Sequence, residues 1–224
     1  MRSGRDRGGA GLWTLTALAA AALLVALAVG AFVPTLLRQD RVAYQWRTSW
    51  GTTGSGPGEL QGPIGVAVDD SGFVYVSDSG NDRIQKFTAD GEFVAAWGGS
   101  GTEAGELRRP MHLELVEDTL LHVAEYLIDR IQIFALDGMP VGLVAEDDAV
   151  AGGTLDAPGG VAVAPGGEVV WIPDFFNHRV AVFGRDGRYR RQVGSGGRGL
   201  PGRLHYPTDV AFGPDGTAYV ADAY

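Results

Sequence analysis

Four carboxylates recur through this chain at nearly equal intervals: Asp78, Glu125, Asp174 and Asp222. Each stands fifteen or sixteen residues after a proline, and five residues beyond the first three come Arg83, Arg130 and Arg179. Carboxylates gathered on one rim can hold a cation or a polar ligand, and beside histidine they can move protons. His112 and His205 lie next to the same prolines, and Asn81 and Asn177 stand three residues beyond Asp78 and Asp174. The eight residues Asp78, Asn81, His112, Glu125, Asp174, Asn177, His205 and Asp222 are therefore the candidates for a ligand-facing surface. The carboxylates also admit a structural role. An aspartate that opens a turn accepts backbone N–H bonds, and an arginine five residues on can pair with it. Loop backbone must be satisfied in every copy, whereas contacts to one ligand need not recur, so the carboxylates and arginines read first as structural.

Other chemistry is thinly supported. The chain has no cysteine, which excludes disulfides, zinc-thiolate centres and thiol catalysis. None of the four histidines sits in a His-Glu-x-x-His or other close ligand spacing. His122 falls within a strand, and His178 takes the place of Asp82 in a polar loop; both read as structural. No Gly-x-Ser-x-Gly stands at a strand-to-helix turn. The glycine-rich runs 98–101 and 194–197 follow strands with no helix behind them, so they are not phosphate cradles. No catalytic set, metal site or cofactor is assigned, and a divalent cation at the mouth of the fold stays a bare alternative.

The elements that position these residues follow from a repeat. Leu-x-x-Pro occurs at Leu60/Pro63, Leu107/Pro110, Leu155/Pro158 and Leu204/Pro207, in steps of 47, 48 and 49 residues. Four residues beyond each arginine stand Phe87, Phe134 and Phe183, read as core between repeats. Within a copy the hydrophobic period is two, as in 65–68, 73–76, 83–87 and 93–97. Asp90-Gly91, Asp137-Gly138, Gly166-Gly167, Asp186-Gly187 and Asp215-Gly216 supply the turns, because tight hairpins need positive φ. Each unit is thus a four-stranded antiparallel meander, with strands a to d. A lone meander has two apolar faces, and packing copies around an axis at about 40–50 residues per unit gives a β-propeller. Because strand direction alternates, the b–c and d–a loops emerge on one face, which carries all eight candidates.

At these columns the chain resembles the NHL-repeat family of β-propellers. The resemblance rests on Val74-Tyr75-Val76-Ser77-Asp78-Ser79-Gly80-Asn81-Asp82-Arg83-Ile84-Gln85-Lys86-Phe87, matched by the segment Ile172 to Phe183, and covers residues 43–224. It implies an all-β propeller of four-stranded blades, commonly six in intact members, serving as a binding platform; some related propellers are lyases or lactonases. The second copy departs from the pattern with Glu125-Tyr126-Leu127-Ile128. Blades are expected at 62–108, 109–156 and 157–205 with a partial blade at 206–224, and residues 43–50 as an outer d strand. This reads as a truncated record of a longer propeller, with a four-bladed ring holding one defective blade as the alternative.

Ahead of the propeller lie a basic tail (1–9), an apolar segment (10–37) and a linker (38–42). No charge interrupts residues 8–37, and about 20 apolar residues suffice to cross a bilayer. Arg2, Arg5 and Arg7 keep the N-terminus cytoplasmic. The expectation is a single-pass anchor with the propeller outside the cytoplasm; a cleaved signal peptide, and hence secretion, is the alternative. The chain carries a net charge of −9, and with the four charges of the tail removed the remainder stands near −11 with one lysine, Lys86. Such a surface repels phosphate, so nucleic acid is not a partner. The expected activity is binding of a protein, peptide or glycan on one propeller face. The alternative is a hydrolase or lyase with a metal ion at the mouth, built from His112, Glu125, Asp174 and His205.

Overall fold

The computed structural model describes residues 45–144 and 154–223. The basic tail, the apolar segment, the linker and Tyr224 lie outside them. Every described strand falls within residues 49–224. Among the described residues no helix is long and apolar enough to cross a membrane.

Two short strands, β1 (Thr52–Thr53) and β2 (Glu59–Leu60), pair in parallel. β3 (Pro63–Val68), β4 (Val74–Asp78), β5 (Arg83–Phe87) and β6 (Phe93–Gly98) then form an antiparallel sheet in chain order. The pattern returns in β7 (Pro110–Val116), β8 (Leu120–Glu125), β9 (Arg130–Ala135) and β10 (Pro140–Val144). It returns again in β11 (Ala162–Val163), β12 (Val169–Asp174), β13 (Arg179–Gly184) and β14 (Tyr189–Val193). A second parallel ladder, β15 (Ser195–Gly196) with β16 (Arg203–Leu204), leads to the antiparallel pair β17 (Pro207–Phe212) and β18 (Ala218–Asp222). These sheets are the a–d meanders that the period of two and the Asp-Gly turns specify. The parallel ladders were not expected; they brace the d–a loops, and the bridge from Ser100 to Leu107 does the same before β7.

Residues 45–50 hold no strand, in contrast to the expected d strand over 43–50. A d strand needs a c strand beside it, and every described c strand already pairs with its own d strand. Trp50 nonetheless keeps the packing role of that column. Its ring lies 4.7 Å from that of Phe87, as Trp97 lies 6.4 Å from Phe134 one blade later. The turn glycine Gly138 (φ +91°) receives Trp97, whose Cδ2 would stand 2.8 Å from any added Cβ.

The blades pack through apolar seams. Between the first and second lie Tyr75, Ile84, Leu107, Leu113, Leu121, Val123 and Phe134, all buried. Ala124, Ile131, Val161, Val170, Ile172 and Phe183 fill the next seam. The a strands are the innermost because their backbones nearly touch: a Cβ on Gly65 would lie 2.5 Å from the Met111 carbonyl and 2.9 Å from His112 Cα. A methyl group there can only be accommodated by moving two strands apart. Gly65→Ala in the full chain is expected to lower unfolding stability by about 1–3 kcal/mol in urea titrations. Gly142→Ala, which meets nothing within 4 Å, should change it by less than about 0.5 kcal/mol.

Candidate functional site

The b–c and d–a loops are tied together by the repeating carboxylates. Asp78 is fully buried at the end of β4. Its Oδ1 accepts from the Gln61 N–H at 2.6 Å, and its Oδ2 accepts from Asn81 Nδ2, Arg83 Nε and Gln85 Nε2 at 2.7–2.9 Å. The Arg83 fork continues to the carbonyls of Ser55, Gly56 and Glu59. Gln85 closes the unit by donating to Glu59 O and accepting from Gly58 N. The whole d–a loop is thus fastened to strands b and c by one carboxylate and two donors.

The second blade repeats this arrangement with Glu125, Arg130 and Gln132. Arg108 N–H donates to Glu125 Oε2, Arg130 Nε to Oε1 at 2.7 Å, and the guanidinium reaches the carbonyls of Thr102, Glu103 and Glu106. The longer glutamate needs no asparagine, so Ile128 in place of Asn81 leaves the clamp intact. In the third blade Asp174 accepts from Asp156 N, Asn177 and Arg179. Asp222 accepts from the N–H groups of His205 and Tyr206 at 2.9 Å. Burial pushes the Glu125 and Asp174 carboxyls above the usual carboxylate range, while their hydrogen bonds pull them back. Asp78, Asn81, Glu125, Asp174, Asn177 and Asp222 therefore all direct hydrogen bonds into the protein itself.

A second column fixes one blade to the next. Asp82, Asp129 and His178 precede the arginines with φ of 54°, 57° and 53°. Asp82 Oδ1 accepts from Arg109 N and Asp129 Oδ1 from Ala157 N, both at 2.7 Å. His178 reverses the polarity by donating from Nδ1 to the His205 carbonyl, and its ring stacks on that of His205 at 5.1 Å. His178, which read as structural in a polar loop, is thus a link between blades. Its signal was its place in the column, immediately before the arginine.

On this fixed framework the loop face presents rings. Tyr126, in the segment that departs from the repeat, lies 6.3 Å from both Phe175 and Phe176. Phe175 stacks on Tyr206 at 4.8 Å, and the Arg109 guanidinium lies 5.0 Å from the Tyr126 ring. Leu127 and Phe176 are half exposed, at 50% and 48%, and Ile64 is 40% exposed. Ile64, Arg109 and Leu127 line a shallow depression of about 490 Å³ between the first two blades. These aromatic residues were not among the expected site residues. Their signal was positional: Tyr126-Leu127 and Phe175-Phe176 replace the small polar Ser79-Gly80 of the first loop.

The innermost strands carry one further arrangement. Two residues after each repeat proline stand Gly65, His112, Gly160 and Asp209. The register shifts there in β3, β7 and β17, and such bulges re-aim side chains. His112 Nδ1 reaches Asp209 Oδ2 at 3.1 Å, across the blade where Gly160 leaves room. The hydrogen bond to Asp209 raises the His112 pKa, against burial, which lowers it. Asp209 was missed in the sequence because its partner lies two repeats away. His112 is not joined by Glu125, Asp174 or His205, and among the described residues no three His, Asp or Glu side chains converge as metal ligands.

Three four-stranded meanders packed through their faces, with loops clamped at one rim, define blades of a β-propeller. Residues 60–87 match the family profile of the NHL repeat, and the same columns recur in the second and third blades. Protein lin-41 of Caenorhabditis elegans is 47% identical over 47 residues, which is 21% of this chain and 4% of that protein. Virginiamycin B lyase from Staphylococcus aureus superposes with a TM-score of 0.52 at 20% identity, over 72% of this chain and 49% of its own. A chain of a nidogen/laminin complex superposes at 0.54 and 20% identity, over 72% and 57%. The chain thus spans about half of these solved propellers and a small part of the worm protein. The structural likeness establishes fold alone.

Removing one partner of a buried pair leaves the other charged and unsatisfied. Arg130→Leu is expected to cost about 3–5 kcal/mol in unfolding stability, with Arg130→Lys intermediate because it keeps charge but loses the fork.

Proposed function

We propose that this chain is a membrane-anchored propeller, facing away from the cytoplasm, that binds a protein, peptide or glycan ligand on its b–c/d–a face. The observation that carries the reading is the half-exposed cluster of Tyr126, Leu127, Phe175 and Phe176 beside Arg109. Rings and arginine held on a rigid frame are the groups that dominate interface energies. The uncharged stretch of residues 8–37 behind three arginines supports the anchor, and the acidic balance disfavours nucleic acid. A propeller in a nidogen/laminin complex shares the fold, which is consistent with a binding role.

A second reading is favoured by the His112–Asp209 pair. A carboxylate that orients an imidazole prepares it as a general base, and a lyase stands among the structural neighbours. The two readings separate by mutation. In a ligand screen on the full chain, Tyr126→Ser and Phe176→Ser should each weaken capture about 10-fold or more, while His112→Ala leaves it unchanged. Protease added to intact cells should remove the propeller. Capture indifferent to both ring substitutions, or a propeller protected in intact cells, contradicts the first reading; turnover abolished by His112→Ala supports the second.

A further inference from the structure

Three residues before the carboxylate in each repeat stands a ring: Tyr75, His122, Trp171 and Tyr219. In the first blade Tyr75 is fully buried and its hydroxyl donates to Asp69 Oδ2 at 2.8 Å. Trp97 packs edge-on against it at 6.2 Å, and the Lys86 ammonium lies 5.0 Å from its ring. Large groups fill that seam. One repeat later three of these positions hold smaller groups, His122 for Tyr75, Val144 for Trp97 and Leu120 for Phe73, and apolar Val116 stands where Asp69 accepts from Tyr75. The seam between the second and third blades accordingly keeps a cavity of about 200 Å³, whose walls include Leu120, His122, Ile133, Val144, Val170 and Arg185.

The cavity is apolar except at two points. His122 is 5% exposed, and its Nδ1 is buried with no hydrogen-bond partner. Burial, and then Arg185, push its pKa down to about 4, so the ring is neutral near pH 7. The ring therefore gives an otherwise apolar cavity wall a polar edge. Trp97 Nε1, in the first seam, is likewise buried and unpaired. The second point is Arg185, whose only ion pair among the described residues is with Glu117 at 3.5 Å, long for a charge-assisted bond. Its side chain is 60% exposed, and Arg185 and Gly167 place the opening on the a–b and c–d hairpin rim, away from the aromatic loop face.

We propose that this cavity binds a short-chain aliphatic carboxylate. The chain lies against Leu120, Ile133, Val144 and Val170, and the carboxylate is taken between the Arg185 guanidinium and the N–H of the neutral His122 ring. The volume is below that of drug-sized pockets, which limits the ligand to a few carbons. A guanidinium at the mouth of an acidic protein selects an anion that its surroundings otherwise repel. This site is independent of the aromatic loop face, because no residue is shared.

The test titrates hexanoate and hexan-1-ol into the full chain in nanodiscs, following the His122 ring signals by NMR. Hexanoate should bind saturably with Kd of about 1 mM or tighter, and at least 10-fold more tightly than the alcohol. Arg185→Gln, at an exposed turn, should weaken hexanoate about 10-fold and leave the alcohol unchanged. Val144→Trp, which restores the ring of the first seam, should abolish both. Non-saturable shifts, equal affinity for acid and alcohol, or hexanoate binding indifferent to Arg185→Gln overturns the proposal. If Val144→Trp does not fold, the Arg185→Gln comparison decides alone.

Discussion

A carboxylate buried at the end of the b strand in each of the three four-stranded blades, and satisfied from several directions, is the interaction on which this loop face depends. Placing Asp78, Glu125 or Asp174 away from water is costly unless charge and lone pairs are matched. The match comes from arginine five residues on and from N–H groups of the preceding d–a loop. Because the same guanidinium also gathers loop carbonyls, irregular backbone between blades is held almost as firmly as a strand. The glutamine two residues beyond arginine adds a second fastening in the first two blades, whereas the third has Ala181 there.

Once the framework is fixed by a few columns, the others are free to vary, and variation is where chemistry enters. At the inner column, glycine in two repeats permits close approach of neighbouring a strands. Histidine and aspartate in the other two meet across that space. At the loop column, small polar residues in the first blade give way to rings in the second and third. A seam column that carries a large ring elsewhere carries His122, and a void results. Each departure is a local change on a shared grid, which is how one rigid scaffold can present several distinct surfaces.

Much of this was legible in the sequence. The steps of Leu-x-x-Pro, the period of two and the turn glycines specify the meanders, their order and the shared face of the b–c and d–a loops. The pairing of Asp78 with Arg83 follows from their spacing. What stayed hidden is of two kinds. Gln85 and Asp82 act on loops some 27 residues away, so no local pattern marks them. Asp209 meets His112 only because Gly160 is small, a relation among three repeats. The internal bonds of Asp78, Glu125 and Asp174 are the structural role that satisfying loop backbone in every copy already favoured.

The central claim is that the carboxylate clamps hold the d–a loops in place. Hydrogen exchange at single-residue resolution addresses it most directly, through the amides of Gln61, Arg108 and Asp156 that donate to Asp78, Glu125 and Asp174. The account predicts protection comparable to that of neighbouring strand amides in β4, β8 and β12. Exchange of these three amides at the rate of exposed loop backbone, with the strands still protected, would contradict it.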